Sequence, residues 1–256
     1  MPLVADNLPV EGEVLCEGCG YRLHNLPDGA LCPECGKPAA ESTSASPRKL
    51  PHWERPPSGP ERGSTLSRSL PARWLRTSAD VLLSPSRFFS TLLTRGDPRG
   101  SIGYARLTWI VCSAILGFAG VLHLDWILTS IGARGVDALL ILAGPILPSA
   151  IYLLFEGLTK LVAWLTKLEG AYWGYRLPTP AVLRALHYLS AQMLPIALAG
   201  LATVGGFRLA WKLKWADASL TSSTYLYTLS AVVVLGSLYV FWQYTRAMRK
   251  IMWANV

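Results

Sequence analysis

The chain has 256 residues, of which 51% are hydrophobic and 16% charged, with ten Trp and ten Tyr. Typical soluble domains carry roughly 25% charged residues, so the deficit argues against one large water-soluble core and toward lipid as part of the solvent. The net charge of +8 describes no single part, because residues 1–41 hold seven acids and two bases whereas residues 42–106 hold eleven Arg or Lys and four acids.

The first thirty residues lack a basic segment followed by a continuous apolar stretch, so no secretory leader is expected there. Residues 1–40 read as a metal-binding head. Cys16 and Cys19 form one Cys-x-x-Cys pair, Cys32 and Cys35 another, and twelve residues separate them. Clustered pairs of this kind in a reducing compartment read as metal ligands rather than disulfides. Each pair grips one ion from two sides, and tetrahedral thiolate coordination suits Zn2+, with four-thiolate iron as the alternative. Gly20 and Gly36 follow the second cysteine of each pair, where a positive φ would turn backbone N–H groups toward the sulfurs. Tyr21, Leu23, Leu26 and Leu31 are too few for an independent core, so the ion would supply most of the folding free energy, on the order of 10 kcal/mol. Four complete ligands leave no open coordination position, which argues for a structural site. The pattern "CEGCG…CPECG" resembles the zinc-ribbon family over residues 16–37. Many zinc ribbons bind nucleic acid or protein. The acidic character of residues 1–41 argues against phosphate binding, which needs clustered Lys and Arg, and leaves a protein partner as the expectation.

Residues 41–72 contain six prolines, many Ser and Arg, and few apolar groups, so they are expected to be a disordered linker. Residues 73–100 change character. Ser84 before Pro85 reads as a helix N-cap with proline at the first helical position, and the helix that follows places Phe88, Phe89, Leu92 and Leu93 on one side. Flanking Arg73, Arg76, Arg87 and Arg95 suit an interfacial helix at an anionic leaflet; a helix packed on the rest of the protein is the alternative.

Residues 101–256 read as a transmembrane helical domain. Four stretches free of Asp, Glu, Lys and Arg lie between Arg106 and Asp125, Asp137 and Glu156, Arg184 and Arg208, and Asp217 and Arg246; their lengths are 18, 18, 23 and 28 residues. A helix needs roughly 20 residues to cross the hydrocarbon core. A soluble bundle would require polar stripes, and these runs offer only scattered Ser, Thr and Gly. Trp109, Trp126, Trp211, Trp215 and Trp242 lie near run ends, as interface aromatics do. Pro145, Pro148 and Pro195 fall inside spans and predict kinks; Gly200, Gly205 and Gly206 predict close helix packing. Beyond Glu156 the residues Leu158, Leu161, Val162, Leu165 and Leu168 share a helical face, which predicts either a helix lying along the interface or a long tilted span. The expected fold class is therefore an all-α polytopic membrane protein, with about four transmembrane helices, an amphipathic interfacial helix and a small N-terminal zinc ribbon.

Lys and Arg counts set the orientation. Eleven lie in residues 42–106 leading into the first span, the first loop has Arg134 alone, the second has Lys160, Lys167, Arg176 and Arg184, and the tail has Arg246, Arg249 and Lys250. These counts fit both termini in the cytosol of a multi-pass protein of the cell inner (cytoplasmic) membrane; Arg208, Lys212 and Lys214 in the third loop run against that trend. No metalloprotease, nucleophile-elbow or P-loop pattern occurs, so no enzyme is expected. His123, Asp125, Glu156, Lys160 and His187 all fall near span ends, where end-capping or snorkelling accounts for them; His123, Glu156 and His187 would line the path of a small transporter or channel, the alternative function.

The order "LLSPSRFFSTLL", spans, then "RALHYLSAQMLPIALAGL" resembles the YIP (Ypt-interacting protein) family of integral membrane proteins over about residues 80–250. Pro85, Phe88 and Phe89 match its Pro-aromatic amphipathic helix; Tyr188 and Pro195 match its later proline-bearing span. Eukaryotic members usually have five spans and an Asp-Leu-Tyr-Gly-Pro motif absent here, so Rab GTPase binding is not carried over. The resemblance implies a non-enzymatic membrane-organising scaffold, bacterial in its combination with a zinc ribbon. Its partners would be the lipid bilayer and a cytosolic or membrane protein, with a homo-oligomer compatible.

Overall fold

The computed structural model describes residues 14–27, 29–43, 48–55, 69–93, 98–133, 137–173, 175, 177–214 and 223–253. Most of the stretch expected to be a disordered linker, together with Asp28, Arg95, Arg134, Arg176 and Trp215, lies outside these residues. Among the described residues the chain is helical, and its only β pairing is three isolated bridges. The helices are α1 (Ala40–Thr43), α2 (Leu70–Leu83), α3 (Pro85–Thr91), α4 (Pro98–Ser130), α5 (Asp137–Trp173), α6 (Thr179–Leu189), α7 (Met193–Lys212) and α8 (Ser223–Ile251). Among the described residues, four helical stretches are long and apolar enough to cross a membrane: α4, α5, α6 with α7, and α8.

Two compact units emerge. The first comprises Met1–Tyr104, Thr159–Leu189 and Tyr244–Val256; the second comprises Ala105–Leu158 and Ser190–Gln243.

In the first unit the core gathers around residues 48–55, which were expected to belong to a disordered linker. They are instead a tight turn, with the Glu54 N–H donating to the Pro51 carbonyl at 3.0 Å. The Arg73 guanidinium caps this turn by donating to the carbonyls of His52, Trp53 and Arg55. The Trp53 backbone N–H donates to Thr77 Oγ1 at 2.9 Å, and its indole N–H to the Gly100 carbonyl at 2.8 Å. Glu54 is buried against Arg184, 2.5 Å away, and accepts from the Tyr188 hydroxyl. Gly100 makes room for it: a Cβ there would lie 2.9 Å from the Glu54 side chain. The linker expectation fails at this point because one Trp and one Glu, inconspicuous among prolines, find partners far along the chain. Burying a lone carboxylate is costly, whereas a paired and hydrogen-bonded one is tolerated.

Helix α2 starts where Ser69 accepts from the Ala72 N–H, and α3 begins with Pro85 at its first position. Ser84 makes no side-chain cap bond, so proline rather than the hydroxyl sets that start. Phe88, Phe89 and Leu92 are buried within the unit, with Phe88 edge-on to Phe89 and to Tyr188. The apolar stripe of α3 thus meets protein rather than headgroups, the alternative of the two sequence readings. Tyr104 completes the cluster, 5.0 Å from the Tyr188 ring and 5.9 Å from Trp53, and its hydroxyl pairs with Ser78 at 2.8 Å.

In the second unit, α5 continues unbroken through Pro145 and Pro148, with the Ser149 hydroxyl bonding back to the Pro145 carbonyl at 2.8 Å. Pro195 denies the Ala191 carbonyl its usual donor, and a 3-10 turn at Ser190–Gln192 separates α6 from α7. Trp109 and Trp126, expected as interface aromatics, are buried in protein. Trp109 packs on Tyr152, and Trp126 on Trp211 and Tyr225. Trp242 is exposed. Of the three glycines expected to pack closely, Gly200 has Leu116 Cδ2 3.6 Å from its Cβ position and Gly205 and Gly206 have nothing near them; the tightest approach is at Gly117. A Cβ on Gly117 would lie 2.4 Å from Pro148 Cγ and 2.9 Å from its backbone nitrogen, so α4 and α5 touch backbone to ring.

Gly117→Ala is therefore expected to force these helices apart and cost about 1–3 kcal/mol, by the ordinary penalty of overpacking. Gly144→Ala, on α5 with open space around it, is expected to be neutral or slightly stabilising. Thermal unfolding of the two variants in detergent, side by side, checks the contrast; equal behaviour would contradict the packing.

Candidate metal centre

Two turns of the same design build the site. Cys16 N–H donates to the Tyr21 carbonyl and Cys32 N–H to the Lys37 carbonyl, both at 2.8 Å. Gly20 N–H donates to the Cys16 carbonyl and Gly36 N–H to the Cys32 carbonyl. Leu23 pairs with Val14 as Ala39 pairs with Ala30, each at 2.9 Å. Every bond in one turn recurs sixteen residues later. The repeat extends beyond the Cys-x-x-Cys-Gly pattern to the nine-residue stretches "LCEGCGYRL" and "LCPECGKPA". Gly20 (φ +83) and Gly36 (φ +70) take the left-handed conformation expected of them. Their N–H groups, however, serve the cysteine carbonyls; sulfur is reached by other N–H groups, among them Gly18, 3.4 Å from Cys16 Sγ, and Glu34 and Cys35 on Cys32.

The two turns face each other. Cys16 Sγ is 3.5 Å from Cys35 Sγ and Cys19 Sγ is 3.6 Å from Cys32 Sγ. All four sulfurs lie within 4.8 Å of one another. A tetrahedral Zn–S distance near 2.3 Å implies sulfur separations of about 3.8 Å, so the four fit a single ion of that size. None is in a disulfide. In the all-thiol form burial pushes Cys19 up to about 12. Burial acts the same way on Cys32, but the N–H groups of Cys35 and Glu34 outweigh it and bring that thiol to about 7. The backbone is thus arranged to favour sulfur in its ligating, deprotonated form at one corner of the site. Around the sulfurs Leu23, Ala39, Val14 and Leu26 make only a small apolar cluster.

The repeat is symmetric inside and asymmetric outside. Leu15 of the first turn is fully buried, whereas Leu31, its counterpart sixteen residues on, is 59% exposed. The first turn is docked in its own unit by three contacts. Glu17 N–H donates to Ser42 Oγ at 3.1 Å. The Glu17 carboxylate takes the Arg48 Nε–H at 2.7 Å, with both side chains buried. Gly20 lies flat against the Trp253 indole, where a Cβ would come within 2.8 Å. Arg48 also donates to the carbonyls of Leu92 and Lys250, joining the head, the end of α3 and the end of α8. Neither Arg48 nor Trp253 carries a sequence signal for this role.

The other ionisable groups are engaged separately. In the first unit His187 Nδ1 is 2.9 Å from Ser101 Oγ, both buried. In the second unit His123 Nδ1 is 2.7 Å from Tyr225 Oη, and Asp125 accepts from Arg208. Glu156 is half-buried on α5. His187 thus belongs to the first unit, His123 and Glu156 to the second. No family model, curated protein or solved structure matches the chain.

Removing Arg48 strands the buried Glu17 carboxylate. Breaking a buried pair from one side costs about 3–5 kcal/mol, so Arg48→Ala is expected to undock the first turn. Limited proteolysis of the purified protein should then cut residues 14–55 several-fold faster than in wild type, while the double variant Arg48→Met/Glu17→Met should recover much of the protection. Unchanged cleavage in Arg48→Ala would show that the pair does not hold the head.

Proposed function

We propose that the chain is a non-enzymatic, multi-pass scaffold of the cell inner membrane, with both termini in the cytosol. Cys16, Cys19, Cys32 and Cys35 hold one structural Zn2+ in its head. The fit of four sulfurs to a tetrahedral ion supports zinc, a borderline-soft ion without geometric preference of its own. When bound it would supply a closed, inert node that fixes the two turns. All further chemistry there belongs to the chain.

The exposed second turn is the observation that carries the scaffold reading. One side of the head is taken up by Arg48, Ser42 and Trp253, while Leu31 and Cys35 on the other turn remain open. A large apolar side chain held rigidly outward on a metal-fixed turn is a suitable anchor for a protein partner. The cytosolic orientation draws support from the eleven Lys and Arg of residues 42–106, against which Arg208, Lys212 and Lys214 of the third loop are the smaller count. The membrane-organising role implied by the YIP-like order of elements belongs to the same reading.

Metal analysis of the purified protein should find one equivalent of zinc, lost in Cys32→Ser. Affinity purification from detergent should recover a set of partners with wild type that is missing with Leu31→Asp, although that variant keeps its zinc. Identical partners for wild type, Leu31→Asp and Cys32→Ser would remove the recognition role of the head.

A further inference from the structure

Helix α5 runs without interruption for 37 residues. At 1.5 Å per residue that is about 55 Å, nearly twice the roughly 30 Å of a hydrocarbon core. Even at a tilt of about 40°, the upper end of the usual range, its height is about 42 Å, the thickness of a bilayer with its headgroup layers. The last part of the helix therefore leaves the hydrocarbon.

A helix emerging into water should turn its apolar face inward and its polar face outward. Residues 159–173 do the reverse. Ala163, Thr166 and Gly170 are the buried positions, spaced three and four apart. Thr166 Oγ1 meets Tyr244 Oη at 2.7 Å, and a Cβ on Gly170 would lie 3.2 Å from Leu177 Cδ1. Small residues thus line the protein side. The outward residues are Leu161, Trp164, Leu165, Leu168, Tyr172 and Trp173, 48–75% exposed. Lys160, Lys167 and Glu169 are interspersed among them. Three of the six outward residues are Trp or Tyr, whose amphipathic rings favour the headgroup boundary, and lysine stems lie on apolar surface while their ammonium groups reach phosphate.

We propose that residues 159–173 are a phospholipid-docking surface, seated at the glycerol and headgroup level of the bilayer and continuous with the span that precedes it. The occupant is bilayer phospholipid: the surface is covalently continuous with a membrane-crossing helix, its rings suit the ester zone, and its charges are mixed. The inference rests on the membrane reading of the four long helices.

The test uses the full chain, zinc-loaded, in vesicles of phosphatidylcholine carrying a photoactivatable diazirine either beside the glycerol or at the acyl chain end. After photolysis, labelled residues are mapped by peptide mass spectrometry. The shallow probe is expected to label residues 161–173 several-fold more than the deep probe does, while the deep probe labels exposed residues 139–154. Leu161→Glu/Leu165→Glu should reduce shallow labelling of 161–173 and leave deep labelling of 139–154 unchanged. Absence of lipid label on 161–173 together with crosslinks to a second copy or another protein would overturn the proposal, as would deep labelling there equal to that of 139–154. Loss of label at 139–154 in the wild-type protein would instead overturn the membrane reading itself.

Discussion

Four sulfur atoms within 4.8 Å of one another set the terms for the whole head. Leu23, Ala39, Val14 and Leu26 cannot offset the entropy of ordering some thirty residues. The two turns are therefore cooperative only through the point at which they converge. That point also fixes Glu17 and Gly20, which lie between or beside ligands of the first pair. Arg48 and Trp253 read those two positions, so any disorder among the sulfurs would propagate into the ends of α3 and α8.

Elsewhere the chain meets a different constraint, that charge in apolar surroundings must be compensated. It does so by pairing. Glu54, Arg184 and Tyr188 form a buried trio in the first unit; Asp125 and Arg208 form a pair in the second. Such pairs add little net stability over apolar replacements, but each is intolerant of losing one member. Their value lies in specificity. Only one register of residues 48–55 places a carboxylate against Arg184, and the absence of a side chain at Gly100 admits it.

The cysteine spacing, the left-handed glycines and the apolar runs were legible because each is a local requirement written in a few adjacent residues. Directions and partners were not. Periodicity marks the apolar face of α3, but whether lipid or Tyr188 covers Phe88 depends on residues a hundred positions away. The same ambiguity hid the burial of Trp109 and Trp126, since an indole near a span end has identical sequence context whether it faces headgroups or Tyr225. Residues 48–55 looked like linker because composition averages over a window and cannot weigh one glutamate. Gly117 carries no signal of its own because its function depends on Pro148, an adjacency that no spacing rule encodes.

Arg48 reaches the carbonyl of Lys250 across 202 positions of sequence. During translation the two ends of that contact leave the ribosome roughly 10–40 s apart at 5–20 residues per second. The two cysteine turns, Ser42 and Arg48 are synthesised early, so the Glu17 contacts can close at once, whereas the Lys250 carbonyl and the Trp253 indole that covers Gly20 arrive only at and beyond the end of α8. A nascent head would thus spend its first seconds with Glu17 already paired but Gly20 open, accessible to insertion factors or chaperones that the finished protein no longer admits there.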